Sequence, residues 1–197
     1  GVARGPLGDH ALVQRQMQHL RTLLIDGDMR NSSLHKSLGI ERGRGLSDLL
    51  SGAGIDTVEY HQVGDSNLFA MTAGELPPNP AELLSSTRLA LVLEELSERF
   101  DHIIIDAPPV IGLADAPLIS SVTDATVFVV KSGSTGTKSA IASLRRLRDV
   151  GVKVLGVVLT HYSNRQANYS YSYSYNYIYR YGPKTERKSL LQRLGLK

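Results

Sequence analysis

The sequence predicts an α/β fold with a largely parallel, buried sheet, and three observations carry that reading. Short aliphatic runs alternate with segments of helical periodicity, the pattern of parallel strands joined by crossover helices. Two of those runs end on an aspartate, where a buried strand emerges at the rim of a sheet. The chain has 197 residues, 42% of them hydrophobic, enough for one core and one domain.

In chain order, the first strand is expected at Thr22–Ile25, where a β-branched residue opens an aliphatic run. A helix follows at Gly45–Leu50, whose leucines recur at helical spacing. A second strand is expected at Asn67–Met71. Asn79–Pro80 introduces a helix at Ala81–Ser85, since proline suits a first helical turn. Thr87–Arg99 is the next helix, and three isoleucines make Ile103–Ile105 a strand. A helix at Asp115–Ser121 leads to a strand at Thr126–Val130. The last pair is a helix at Lys138–Val150 and a strand at Val154–Leu159.

The two ends differ from this body. Residues 1–21 form an irregular segment: Gly1, Gly5, Pro6 and Gly8 oppose regular structure, and His10–Leu20 has only a weak stripe of Leu12, Gln16 and Leu20. The α/β domain takes residues 22–163. Residues 164–183 hold a tyrosine cluster in which seven tyrosines alternate with other residues: Tyr169, Tyr171, Tyr173, Tyr175, Tyr177, Tyr179 and Tyr181. Strict alternation could make a strand, but a serine-rich run flanked by Gly and Pro is expected to be disordered. Residues 184–197 are a basic tail with a short helical pattern at Thr185–Leu194. From Arg180 onward there are six basic residues against Glu186, so the net charge of +3 belongs to the tail and the body lies near −2.

Composition excludes several function classes. With no cysteine there are no disulfides or thiolate metal sites. No apolar run approaches the roughly 18–20 residues of a membrane span, and no signal-peptide pattern opens the chain. The six histidines, His10, His19, His35, His61, His102 and His161, show no metal-ligand spacing. No Gly-x-Ser-x-Gly elbow supports hydrolase chemistry. The cations follow the tyrosines rather than interleaving them, Arg180 apart, so a nucleic-acid partner is not expected.

The chemistry is expected at two strand ends. In Leu23-Leu24-Ile25-Asp26-Gly27-Asp28-Met29-Arg30, residues two apart on an extended chain face the same way, so Asp26 and Asp28 can share one pocket. In Ile103-Ile104-Ile105-Asp106-Ala107-Pro108-Pro109 a strand ends on a single carboxylate, a common Mg²⁺ holder in phosphate-handling folds. An aspartate can also merely cap the turn that follows its strand. Two such ends in one chain favour a metal–nucleotide site.

These residues resemble a known family. Leu-Leu-Ile-Asp-Gly-Asp-Met-Arg is similar to the second nucleotide motif of bacterial protein-tyrosine kinases, and Ile-Ile-Ile-Asp-Ala-Pro-Pro to their Walker B motif. Gly45-Leu46-Ser47-Asp48-Leu49-Leu50, the run from Gly74 to Leu84, Gly156-Val157-Val158-Leu159-Thr160 and the tyrosine cluster extend the resemblance over about residues 22–182. It implies a P-loop-NTPase-like fold of the deviant-Walker, partition-ATPase-related type, with helices flanking a mostly parallel sheet. It also implies an ATP-dependent tyrosine autokinase, a transferase that controls capsule or exopolysaccharide polymerisation and export. ATP and Mg²⁺ would be the cofactors. Asp26 and Asp28 would help place Mg²⁺ and draw the proton from the attacking tyrosine, the division between them left open. Asp106 would hold Mg²⁺, and Tyr169–Tyr181 would be phosphorylated in trans. The implied partners are a membrane activator or polysaccharide co-polymerase, further kinase subunits and a cognate tyrosine phosphatase. The implied place is the cytoplasmic face of the cell membrane, reached through a partner or a membrane region outside this sequence.

One expected part is missing. The Gly-x-x-x-x-Gly-Lys-Ser/Thr loop that cradles phosphates should precede Asp26 by about one helix, and Gly5-Pro6-Leu7-Gly8-Asp9-His10 is what stands there. No residues are therefore assigned to a Walker A site. The expectation is that the front of the chain is truncated or derives from a disrupted coding sequence, leaving catalysis impaired. Lys131-Ser132-Gly133-Ser134-Thr135-Gly136-Thr137-Lys138-Ser139 imitates such a loop, but Thr137 stands where glycine should precede the lysine, as in an ordinary strand–helix connection. Two alternatives stay open: a partition or cell-division positioning ATPase, and a non-catalytic partner phosphorylated by an intact kinase.

Overall fold

The structure is a computed structural model that describes residues 19–162. Its elements run β1 (Thr22–Asp26), α1 (Leu34–Leu38), α2 (Leu46–Leu50), a 3₁₀ turn (Ile55–Thr57), β2 (His61–Gln62), β3 (Leu68–Met71), α3 (Pro80–Leu84), α4 (Arg88–Ser97), β4 (His102–Asp106), α5 (Asp115–Ser121), β5 (Thr126–Lys131), α6 (Thr137–Asp149) and β6 (Val154–Thr160). All five expected strands are present. Of the expected helices, those within the described residues are present as well. Residues 1–18 of the irregular segment 1–21, the tyrosine cluster and the pattern at Thr185–Leu194 lie outside the described residues.

β1 is the axis of the main sheet, whose order is β2-β3-β1-β4. It pairs in parallel with β3, Thr22 opposite Leu68, and with β4, Asp26 opposite Asp106. Leu23 and Ile25 are fully buried, as expected for a parallel strand covered on both faces. β2 is the antiparallel exception in a sheet that is otherwise parallel, within the largely parallel expectation. It is a two-residue antiparallel edge joined to β3 through a tight turn at Gly64, whose φ of 59° suits glycine. β5 and β6 depart from the single expected sheet: they pair in parallel as a separate two-stranded one.

The core lies between the main sheet and its helices. α4 turns Leu89, Val92 and Leu96 inward at spacings of three and four, and all three are fully buried. Phe100 follows and packs against Tyr60 and Phe69, with ring centroids 5.5 and 5.6 Å apart. The Arg21 guanidinium lies 5.3 Å from the Phe69 ring and 5.1 Å from the Phe100 ring. The Arg21 backbone N–H also donates to the Asp101 carboxylate at 2.7 Å, so the approach to β1 is tied to the approach to β4.

The loop after β5 closes on itself. The Thr135 N–H donates to the Lys131 carbonyl at 2.9 Å, and the Lys131 N–H donates to Thr135 Oγ1 at 3.3 Å. This is the ordinary strand–helix connection expected of that segment. Removing the centre of the core should be costly. Leu23→Ala should lower unfolding free energy by about 2–5 kcal/mol in chemical denaturation. Leu155→Ala, at a side chain 65% exposed, should stay within about 0.5 kcal/mol of the parent.

Candidate active site

The site is built on the register of β1 and β4. With Asp26 opposite Asp106, the two carboxylates leave neighbouring strands at the same level, at the carboxyl end of the sheet. Gly27 makes the turn that follows possible. Its N–H donates to the Asp106 carbonyl at 2.8 Å, and a Cβ at this position would lie 2.7 Å from Ile105 Cγ2 and 3.1 Å from Ile119 Cδ1. Only glycine fits so close to the adjoining strand and to α5.

Asp26 is 1% exposed, and its carboxylate is saturated with donors. Oδ1 accepts the Asp28 N–H at 3.2 Å. Oδ2 accepts the Ser32 hydroxyl at 2.9 Å, the Ser33 N–H at 3.1 Å and the Leu34 N–H at 3.0 Å. The last two belong to the first turn of α1, so Asp26 caps that helix from eight residues upstream and folds the intervening loop around itself. Capping and site-building are thus both roles of one residue.

Asp28 lies at the rim, half-buried. Both of its backbone hydrogen bonds fall on Oδ1, from the N–H of Arg30 at 3.1 Å and of Asn31 at 2.9 Å. This Asx-type turn aims the carboxylate and leaves Oδ2 unengaged among the described residues. Asp106 is exposed at the end of β4, and its carboxyl accepts no hydrogen bond among the described residues. Partial burial, then the charges of Asp26 and Asp28, raise its pKa above the ordinary 3.8.

Arg30, an unexplained part of the motif in the sequence, has a defined partner. Its Nε donates to Asp115 Oδ2 at 2.7 Å and a terminal nitrogen donates to Oδ1 at 3.2 Å, a bidentate pair. The Asp115 side chain is only 1% exposed, at the start of α5. The pair fastens the loop carrying Asp28 to the helix that follows β4. Asp115 is a member of the candidate site that the sequence does not single out. Its signal was an acidic residue opening a helix just after the Asp-Ala-Pro-Pro run, a signal shared with any helix N-terminus.

The family-like segments outside these loops also meet. The Leu46 and Ser47 N–H groups donate to the carbonyls of Thr72 and Ala73 at 3.1 and 2.9 Å, and the Gly45 N–H donates to the Asp48 carboxylate at 2.9 Å. The start of α2 therefore docks on the carboxyl end of β3, two strands from Asp106. Arg42 donates from two nitrogens to the Gly74 carbonyl, at 3.2 and 3.0 Å.

The donor set suits a hard, hydrated cation better than a protein cage. No cluster of three His, Asp or Glu side chains able to hold a metal ion occurs among the described residues. Asp28 Oδ2 and Asp106 offer two carboxylates, and Mg²⁺ takes one or two together with waters and phosphate oxygens. Of the two described tyrosines, Tyr60 is packed in the core and donates to the Ile55 carbonyl at 2.9 Å. Tyr169–Tyr181 lie outside the described residues. No helix among the described residues is long and apolar enough to cross a membrane.

No protein-family model matches the chain. Among curated proteins it is 38% identical over 150 residues to the tyrosine-protein kinase ptk of Acinetobacter johnsonii, covering 76% of this chain and 20% of that protein. The chain spans about a fifth of the length of the ptk and wzc proteins and 62% of the length of the tyrosine-protein kinase CpsD of Streptococcus pneumoniae, to which it is 36% identical. Among solved structures it resembles the chimerical protein CapA2B2, with a TM-score of 0.68 and 32% identity over 77% of this chain and 67% of that one. It also resembles the kinase domain of the Escherichia coli tyrosine kinase ETK, with a TM-score of 0.71 and 30% identity over 85% and 64%. The septum site-determining protein MinD of Pyrococcus horikoshii has a TM-score of 0.59 at 20% identity over 76% and 62%, a likeness that shows the P-loop NTPase fold alone.

The raised pKa of Asp106 has a direction that can be measured. Folding favours its protonated form, so its contribution to stability is full below about pH 3.8 and is lost as pH rises through the elevated native value. Asp106→Asn, which keeps the shape without the charge, should therefore raise the melting temperature more at pH 7 than at pH 4 in paired thermal scans. Because the group is exposed, a small effect is expected.

Proposed function

This chain belongs to the bacterial protein-tyrosine kinase family, and from that premise we propose that it serves ATP-dependent phosphorylation of tyrosine in the control of capsule or exopolysaccharide polymerisation and export. The observation that carries the reading is the aspartate group at the carboxyl end of the sheet. Among the described residues, Asp28 and Asp106 present unengaged carboxylate oxygens beside an Asp26 that accepts four hydrogen bonds.

In the proposed reaction a tyrosine oxygen displaces ADP from the γ-phosphorus of ATP. The bridging P–O bond to ADP breaks, a tyrosyl O–P bond forms, and the phenolic proton leaves. Asp28 and Asp106 would hold Mg²⁺, which supplies charge neutralisation on the phosphate oxygens when bound. Of Asp26 and Asp28, Asp28 is the proposed proton acceptor, because its Oδ2 accepts no hydrogen bond among the described residues. Both oxygens of Asp26 already accept hydrogen bonds, four in all, so its proposed catalytic share is to fix the Asp28 loop. Arg30 and Asp115 would hold the same loop from the other side.

Tyr169, Tyr171, Tyr173, Tyr175, Tyr177, Tyr179 and Tyr181 are the proposed acceptors, modified in trans. The 197 residues contain no Gly-x-x-x-x-Gly-Lys-Ser/Thr sequence, so transfer at Asp28 and Asp106 would need a supplied phosphate loop; we regard this chain as impaired by itself and its tyrosines as served by an intact neighbouring kinase subunit. A membrane activator of the co-polymerase type, other kinase subunits and a tyrosine phosphatase are the proposed partners. The inner face of the cell membrane is the proposed place of action. The partition-ATPase alternative rests on shared fold alone, and the tyrosine cluster favours the kinase reading.

Mass spectrometry of the tail after incubation with ATP and Mg²⁺ tests this reading. Phosphotyrosine should appear on Tyr169–Tyr181 when a competent kinase of the family is added and should be absent without it. An unmodified tail in both cases would refute the acceptor role, and modification without added kinase would refute the impairment. In an active assembly containing this chain with a supplied phosphate loop, Asp115→Asn should slow transfer about 10–100-fold, the usual cost of losing a residue that orients a ligand. Asp106→Asn should slow it further and weaken the Mg²⁺ dependence.

A further inference from the structure

Positive charge is concentrated on one helix. The body of the chain lies near −2, yet α6 alone holds Lys138, Arg145, Arg146 and Arg148 against the single acid Asp149. Its inner side is taken up by packing, with Leu147 and Ser143 buried. The four cations are all exposed, and none forms an ion pair or a side-chain hydrogen bond with a described residue. The helix dipole favours Arg146 and Arg148 in the last turn. It opposes Lys138 in the first, where no acid stands. A groove of about 490 Å³ runs along this face, lined by Lys138, Ile141, Ala142, Arg145, Arg146 and Asp149. Ile141, 46% exposed, gives it an apolar floor.

The chain leaves its last strand beside the start of this groove. Thr160 at the end of β6 pairs with Lys131, and the loop closed by Lys131 and Thr135 leads into α6 at Thr137. Seven residues separate Tyr162 from Tyr169, a reach of up to about 23–25 Å. That exceeds the roughly 20 Å length of a 13-residue helix. From Lys138 to Arg148 the helix rises about 15 Å. An extended chain crosses that distance in four or five residues, so three alternate tyrosines fit within it on one face.

We propose that this face of α6 docks the tyrosine cluster of the same chain in its phosphorylated form. The inference rests on the acceptor role proposed for Tyr169–Tyr181. A phosphotyrosine brings a charge of about −1.5 to −2 and three acceptor oxygens, which arginine receives with paired N–H groups. The phenyl rings find Ile141 between the cations. Before modification the cluster is uncharged, so docking follows phosphoryl transfer and marks the product state. A lipid surface suits this face less well, because a helix lying in a membrane needs a broad apolar side and that of α6 is turned to the protein.

Fluorescence anisotropy on the full, unphosphorylated chain tests the surface. The probe is a labelled synthetic peptide of residues 169–177 phosphorylated at Tyr171, Tyr173 and Tyr175. Single exposed ion pairs are weak, so the cations are removed together. Binding should weaken about tenfold or more in the Arg145→Gln, Arg146→Gln, Arg148→Gln variant and stay within about twofold in Arg44→Gln. A chain whose own tail has been phosphorylated should bind the probe about tenfold more weakly, with no gain in mass by ultracentrifugation. Equal binding of the unphosphorylated peptide would overturn the proposal, as would full binding by the triple variant. Association of phosphorylated chains that grows with concentration would give the groove to a second copy. Phosphatidylserine vesicles that displace the probe and bind the parent more tightly than the triple variant would make it a lipid site; either result overturns docking within the chain. A modified tail without probe binding removes the docking alone, whereas a tail left unmodified by a competent kinase removes the acceptor role and the docking with it.

Discussion

A buried carboxylate needs donors, and the structure around the site is arranged to supply them to Asp26. At 1% exposure the charge has almost no water, so it must be solvated by protein dipoles. Three backbone N–H groups and one hydroxyl do so, all from residues 28–34. That demand folds the loop back on the strand end, starts α1 and puts Asp28 at the rim. Substituting an uncharged residue at 26 would therefore loosen the loop as well as remove a charge.

The second constraint is steric. Gly27 passes so near Ile105 and Ile119 that β1, β4 and α5 meet at one point. The Arg30–Asp115 pair ties the far end of the same loop to α5, so the loop is held at both ends by the element that follows β4. Asp28 is thereby fixed relative to Asp106 through the backbone rather than through any direct contact. The like charges of Asp26, Asp28 and Asp106 remain, and after partial burial, the larger cause, they push the Asp106 carboxyl up. Repulsion of this kind disfavours the ligand-free site and is relieved by a cation, a common way for a fold to reserve free energy for binding.

Much of this was legible in the sequence because buried parallel strands leave long aliphatic runs. Thr22–Ile25 and Ile103–Ile105 announce themselves, and aspartates at their ends mark the rim of the sheet. The helix at Leu34–Leu38 was not legible. It has five residues, and its cap comes from Asp26, so no local pattern records it. β2 is two residues long and exists through pairing with β3 rather than through propensity. Asp115 reads as an ordinary first-turn acid, since the arginine that occupies it lies 85 positions away in the chain. Contacts set by tertiary packing leave no periodic trace.

The division of the sheet follows from the same logic of parallel strands. Such a sheet gathers loops and helix starts at one end, which is why the aspartates and the Arg30–Asp115 pair converge there. It does so only while every inner position is filled, since each inner strand relies on neighbours for its hydrogen bonds and on helices for its cover. β1 has both neighbours, and its Leu23 and Ile25 are fully buried. Among the described residues β4 has one, and Ile104 is 54% exposed although the sequence of β4 is as aliphatic as that of β1. The exposure of Ile104 is that of an aliphatic strand paired on one side among the described residues. Asp106 therefore stands on a strand end that β1 alone holds among the described residues, and its place opposite Asp26 rests on the β1–β4 ladder.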